Sequence, residues 1–204
     1  MVRNPSITEW LVLSNIIMYI CLAIIGFSAF TLNANVLIYI GQYNKFIFEH
    51  GYFYELFTAL FVHFHIGHLL GNLIFLLLYG YRAEDFYNWK QYLVIFLLAG
   101  LIGNLLGLIL GPDFLSAGAS GAIFGLFGAL IYPIRSEAPK TLKSMIFLGI
   151  IFLIFSGINY NVDHFSHWAG FIVGLILGKI YTQKRLIKHE APPGKIRLKQ
   201  RFER

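Results

Sequence analysis

The chain has 204 residues, of which 57% are apolar and 13% charged. A soluble domain carries about a quarter charged residues, so this composition excludes an ordinary soluble enzyme; runs of about 20 apolar residues point instead to a multispanning membrane protein. The net charge of +6 and the single cysteine, Cys21, exclude an intrachain disulfide and raise the question of an anionic partner, which the distribution of charge answers below.

The hydrophobic pattern predicts six helices, at about 10–31, 57–80, 91–110, 119–134, 141–157 and 165–182. The first apolar stretch, Trp10 to Phe30, is long enough to span, and Arg3 is the only cation before it. That reads as a spanning helix rather than a cleaved leader. Cys21 lies inside it as a small packing residue. Residues 32–56 form a long connection whose aromatics (Tyr39, Tyr43, Phe46, Phe48, Tyr52, Phe53 and Tyr54) suit the membrane interface. The second helix carries His63, His65, His68 and Asn72. The fourth opens on Gly118-Ala119-Ser120-Gly121. The sixth carries His167, Gly170, Gly174 and Gly178, and Asp163, four residues before His167, either orients that histidine or caps the helix, the cap being favoured. A basic tail, 183–204, follows. The whole of 1–204 is expected to be one membrane domain with its helical core at about 10–182.

The charges follow topology. Every lysine and arginine except Lys45 falls before the first helix, in alternate connections, or from Lys179 onward. The positive-inside rule then places both termini in the cytoplasm of a multi-pass cell-membrane protein. The lipid bilayer, and not nucleic acid, is the anionic partner this implies; the tail lies near anionic headgroups or in solvent.

With that topology, helices two, four and six all run inward. His68 lies 14 residues before Arg82, Ser120 15 before Arg135, and His167 12 before Lys179. At 1.5 Å per residue these are about 21, 22 and 18 Å. All three side chains are therefore expected in the outer half of a core of about 30 Å, at one depth. Small residues at every fourth position let helix backbones approach closely. Gly121 and Gly125 on helix four, with Gly170, Gly174 and Gly178 on helix six, predict such a seam beside Ser120 and His167.

These residues allow acyl transfer. A serine hydroxyl needs a base to take its proton, and His167 is the candidate. The intermediate needs donors for its oxyanion. His68 and Asn72, at i and i+4, share a helix face, and the Ser120 N–H stands at a helix start, where N–H groups are unpaired. A lone intramembrane serine usually bonds its own helix carbonyls, so the convergence carries the inference. Five histidines (His63, His65, His68, His164 and His167) would also suit a haem or metal-binding membrane protein. That alternative does not account for Gly118-Ala119-Ser120-Gly121 or for the asparagine at i+4.

Three ordered stretches now resemble one family: His63-Phe-His-Ile-Gly-His68-Leu-Leu-Gly-Asn72, Gly118-Ala-Ser120-Gly121, and Asp163-His-Phe-Ser-His167-Trp-Ala-Gly170-Phe-Ile-Val-Gly174. The chain resembles the rhomboid intramembrane serine proteases over nearly all six helices. The resemblance implies an all-α, six-transmembrane-helix bundle and a Ser–His dyad without an essential acid. It implies Ser120 as nucleophile and His167 as base, with His68, Asn72 and the Ser120 N–H as the oxyanion hole. Phe124 stands where an aromatic supports the histidine ring, Gly118, Gly121 and Gly170 support the site, and Glu84 matches an acidic residue at the inner end of helix two. Substrates would be single-pass transmembrane proteins, and no cofactor or metal is implied. A catalytically dead, client-binding relative is the further alternative, although such relatives typically lack the serine or the histidine. One departure stands out: where many members have Trp-Arg in the first outside loop, this chain has Tyr54-Glu55.

Overall fold

The computed structural model describes residues 6–156 and 163–190. Among the described residues six helices have 18 or more residues: α1 (Ile7–Ile25), α5 (Ile66–Glu84), α6 (Trp89–Gly107), α7 (Ser120–Glu137), α8 (Pro139–Ser156) and α9 (His164–Glu190). Eighteen or 19 residues rise about 27–29 Å, the thickness of a bilayer core. By length and apolar composition alone, α1 and the segment Trp89–Leu110 qualify as spans. Three short helices lie between α1 and α5: α2 (Ala34–Ile40), α3 (Asn44–His50) and α4 (Glu55–Thr58).

Three expected boundaries move by six residues or more. The first helix stops at Ile25 rather than 31, where the Gly26 N–H closes back on the Leu22 carbonyl and Phe27 takes a left-handed φ of 49°. The second begins at Ile66 rather than 57. Its apolar approach is spent on another element: Leu32 N–H donates to the Phe64 carbonyl, and Ile66 N–H to Phe30. His65 is then extended, and its ring accepts the His68 N–H as a helix cap. A continuous apolar run gave no sign of this strand-like detour. At the far end, α9 continues to Glu190, eight residues beyond the expected 182. The rest of the tail, and the α8–α9 connection at 157–162, lie outside the described residues.

Helix α7 is the axis of the bundle, with 13 buried residues. It can be central because its glycines leave neighbours room. A Cβ on Gly170 would fall onto the Gly121 carbonyl oxygen, one on Gly174 onto that of Gly125, and one on Gly178 onto that of Ala129. The predicted α7–α9 seam is thus a backbone-on-backbone contact. Pro133 lies inside α7 and cannot donate to the Ala129 carbonyl one turn back. The buried Tyr87 hydroxyl donates to that carbonyl instead, at 2.6 Å. At the opposite end of the bundle from Ser120, Glu84 accepts both the backbone N–H and the hydroxyl of Thr8, at 2.9 and 2.6 Å. That ties the start of α1 to the end of α5.

A two-residue ribbon joins the outer loop to the bundle. Strand β1 (Gln42–Tyr43) runs antiparallel to β2 (Leu115–Ser116), with Gln42 opposite Ser116 and Tyr43 opposite Leu115. Residue 116 is two short of the glycine turn that opens α7.

Candidate active site

Ser120 is the first residue of α7, His68 the third of α5 and His167 the fourth of α9. All three stand in the first turn of a long helix, so the shared depth expected from counting is a shared position at one end of the bundle. Ser120, Asn72 and His167 are buried, with 8, 3 and 4% of their surface exposed.

The Ser120 Oγ lies 2.8 Å from His167 Nε2, a hydrogen bond between buried side chains. The seam explains the distance. Gly121, beside the serine, meets Gly170, one helical turn beyond the histidine, with no side chain between their backbones. The His167 ring rests on Phe124, with centroids 4.8 Å apart. Phe124 in turn stacks on Phe152 of α8 at 4.7 Å. Phe152, only 1% exposed, is a backing residue that no motif in the sequence marked. Ser166, which lies within the third motif, also packs the site: its hydroxyl fills the notch left by Gly103 of α6 and Gly121 of α7.

Gly118 sits at φ 130°, a conformation side chains rarely adopt. A Cβ there would lie 2.8 Å from His68 Nε2 and 3.8 Å from Ser120 Oγ. The turn therefore needs glycine twice, for its backbone angle and for the imidazole that occupies the space. His68 is in consequence packed beside the serine. The Gly118 N–H is held by the Ala59 carbonyl at 2.9 Å. The Ser120 N–H belongs to the first turn of α7, where no carbonyl four residues back is available. One polar spot thus faces a hydroxyl, two imidazoles and a helix N-terminus.

Asn72 is placed less simply. It lies one turn below His68 on the same helix, and its Nδ2 donates to the His68 carbonyl at 2.9 Å. No hydrogen bond joins it to Ser120 or His167, and its buried Oδ1 has no partner. Nδ2 retains a second hydrogen. Asp163 acts on the backbone: its Oδ1 accepts the Ser166 N–H at 2.9 Å and caps α9, while His167 Nδ1 has no hydrogen-bond partner. The buried pair is a dyad in its contacts.

The remaining histidines do other work. His65 caps α5. His63 has no exposed surface and meets His68 edge-on, with ring centroids 5.0 Å apart. Among the described residues no group of three or more His, Cys, Asp or Glu is placed to hold a metal ion. Beside His167 an apolar groove of about 290 Å³ opens between α8 and α9, over Phe124 and Phe127.

Residues 50–184 match the family profile of the Rhomboid domain. The chain is similar to Rhomboid-like protease 3 of Toxoplasma gondii, 32% identical over 182 residues that cover 86% of this chain and 69% of that protein. It is similar to Rhomboid protease GluP of Bacillus subtilis, 33% identical over 84% of this chain and 34% of that protein. It is also similar to Putative rhomboid protease YdcA of the same bacterium, 31% identical over 66% and 70%. The chain thus spans about a third of the length of the second relative and over two thirds of the first and third.

Proposed function

The chain belongs to the rhomboid family of membrane-embedded serine proteases, and from that premise we propose that it hydrolyses peptide bonds of transmembrane proteins with Ser120 as nucleophile and His167 as base. The observation that carries this reading is the 2.8 Å contact between Ser120 Oγ and His167 Nε2 at the mouth of the bundle.

The steps follow from the atoms. His167 Nε2 takes the Ser120 proton as Oγ attacks the substrate carbonyl carbon. The carbonyl oxygen becomes an oxyanion beside the Ser120 N–H, the His68 ring and the free hydrogen of Asn72 Nδ2. His167 returns the proton to the leaving amine, and the C–N bond breaks. Water, deprotonated by His167, then attacks the acyl-serine ester; the C–Oγ bond breaks, His167 returns the proton to Ser120 Oγ, and the acid is released. Phe124 limits rotation of the base throughout. The absence of a bonded carboxylate on His167 fits a base that stays neutral between steps.

The occupants follow from the surroundings. A site in the first turn of apolar helices is reached by a chain that is itself in the membrane, so single-pass transmembrane proteins are the substrate class. The distribution of cations puts this end of the bundle outside the cell membrane and both termini in the cytoplasm. The test is cleavage of a model transmembrane substrate in lipid vesicles, with labelling by an activity-based phosphonate. Ser120→Ala and His167→Ala should each abolish cleavage while the protein stays folded, and Ser120→Ala should lose the label. The double variant should be no worse than either single one, because the pair acts as a unit. Wild-type turnover by Ser120→Ala would end the reading.

A further inference from the structure

The stretch Glu55–Ala59 ties four parts of the molecule together. Glu55 Oε2 accepts the Tyr43 N–H of β1 at 2.8 Å. The Leu56 carbonyl accepts Asn104 Nδ2 of α6 at 2.8 Å. The Thr58 hydroxyl donates to the Ile40 carbonyl at the end of α2, at 2.6 Å. The Ala59 carbonyl accepts the Gly118 N–H, two residues before Ser120, at 2.9 Å. The outer loop is thereby fastened at once to the bundle and to the turn that presents the nucleophile.

Glu55 is the only ionisable residue in this stretch. Its side chain has no exposed surface, and its second oxygen, Oε1, is buried with no hydrogen-bond partner. Among the described residues no cation forms an ion pair with it, and the one lysine of α6, Lys90, stands at the other end of that helix from Asn104. β1 contributes the Tyr43 N–H, and the titratable neighbour on the preceding turn is Tyr54. Lys45, Glu49 and His50 stand on α3, and none forms an ion pair with Glu55. A buried carboxylate with one oxygen unpaired is costly, whereas the neutral acid is tolerated. We propose that Glu55 is a positioning residue that works as the neutral acid, seating the outer loop against the turn that carries Ser120. Oε1 carries the proton, and Oε2 remains free to accept the Tyr43 N–H. This rests on the reading of Ser120 and His167 as a protease site.

The direction with pH follows. Burial pushes the Glu55 carboxyl up to about 7, against the opposing hydrogen bond from Tyr43. When the loop is released, the group returns toward its ordinary value of 4.5. Between those values the seated form holds a proton that the released form has lost. Seating is therefore strongest below about 4.5, weakens as pH rises to about 7, and is constant above that.

The experiment compares wild type with Glu55→Gln, the uncharged isostere, from pH 5 to pH 9, by rate of substrate cleavage and by thermal midpoint. Using the ratio of the two rates cancels the titration of the dyad. The wild-type-to-variant ratio should be near one at pH 5, fall toward pH 7 by up to about tenfold per unit, and level off above. The difference in midpoint should follow the same course. Glu55→Ala, which removes the acceptor for Tyr43, should be slower than Glu55→Gln at every pH. A ratio and midpoint difference independent of pH would overturn the proposal, as would a Glu55→Gln rate below a tenth of wild type at pH 5. If Glu55→Gln does not fold, limited proteolysis of the wild-type loop decides: it should quicken from pH 5 to pH 7, and a pH-independent rate refutes the proposal. If wild type cleaves no substrate, the dyad reading fails while the midpoints still test Glu55.

Discussion

The α7–α9 seam and the outer loop hold the same serine by opposite means. The seam works by leaving atoms out: Gly121 against Gly170 and Gly125 against Gly174 let two backbones touch, which sets the Ser120–His167 distance. The loop works by adding bonds: Glu55, Thr58 and the Ala59 carbonyl each satisfy a backbone group of a neighbouring segment. A contact made of missing side chains has no way to relax when one is added, because protein interiors are close-packed. A contact made of several hydrogen bonds loses only one part when one donor is removed. The two regions should therefore differ in how sharply they answer to mutation.

The seam offers the strongest test. A Cβ on Gly174 collides with the Gly125 carbonyl oxygen, so Gly174→Leu must push α9 away from α7. A displacement of about 1 Å at the reactive pair costs roughly 100-fold in rate, and overpacking adds about 1–3 kcal/mol of destabilisation. Cleavage assays should find at least that loss in rate, with a lowered thermal midpoint. Retention of wild-type activity would mean that the helices do not depend on this contact.

Gly118 stands where the two regions meet. Gly118→Ala places a methyl 2.8 Å from His68 Nε2 and forces alanine to φ 130°. The backbone penalty is about 1–3 kcal/mol, and the displaced imidazole is a proposed oxyanion donor, whose loss typically costs about 100- to 1000-fold. The expected signature is a fall in kcat of up to that size with a smaller change in stability than Gly174→Leu. A variant that unfolds while its residual folded fraction turns over normally would assign Gly118 to the fold alone.

This contrast also explains what the sequence could reveal. Glycines repeated every fourth residue next to Ser120 and His167 carry their own geometric meaning, so the seam was legible from spacing, and counting along the helices brought both residues to one end of the bundle. Legible too was the capping role of Asp163, which follows from its place before α9. The start of α5 was not legible: residues 57–65 read as helix because they are apolar, yet the Phe64 carbonyl and the Ile66 N–H on either side of His65 bond to Leu32 and Phe30 of a distant segment. Glu55 was visible only as a departure from a familiar pair. Nothing local announces that its carboxylate meets Tyr43, because the partner is a backbone N–H, and every residue but proline has one. The backing of Phe124 by Phe152 is equally silent, one phenylalanine among 20 in the chain.

The smallest effect is expected within the loop, and it completes the contrast. Thr58→Val keeps shape and volume but removes the hydroxyl that donates to the Ile40 carbonyl at 2.6 Å. The same hydroxyl also reaches the Tyr54 carbonyl at 3.3 Å, a longer contact that adds little. A single neutral hydrogen bond contributes about 1 kcal/mol net, and Thr58 is only half-buried, so water can replace part of what is lost. For a chain of this length that corresponds to a midpoint lower by about 2–4 °C. The Ala59–Gly118 and Glu55–Tyr43 bonds remain, so the turn before Ser120 should keep its place and the cleavage rate should stay within about threefold of wild type, less than the rate loss from a single misplaced reacting group. A fall as large as that of Gly174→Leu would show that the loop, too, is a contact that cannot relax, and the distinction between the two regions would be lost.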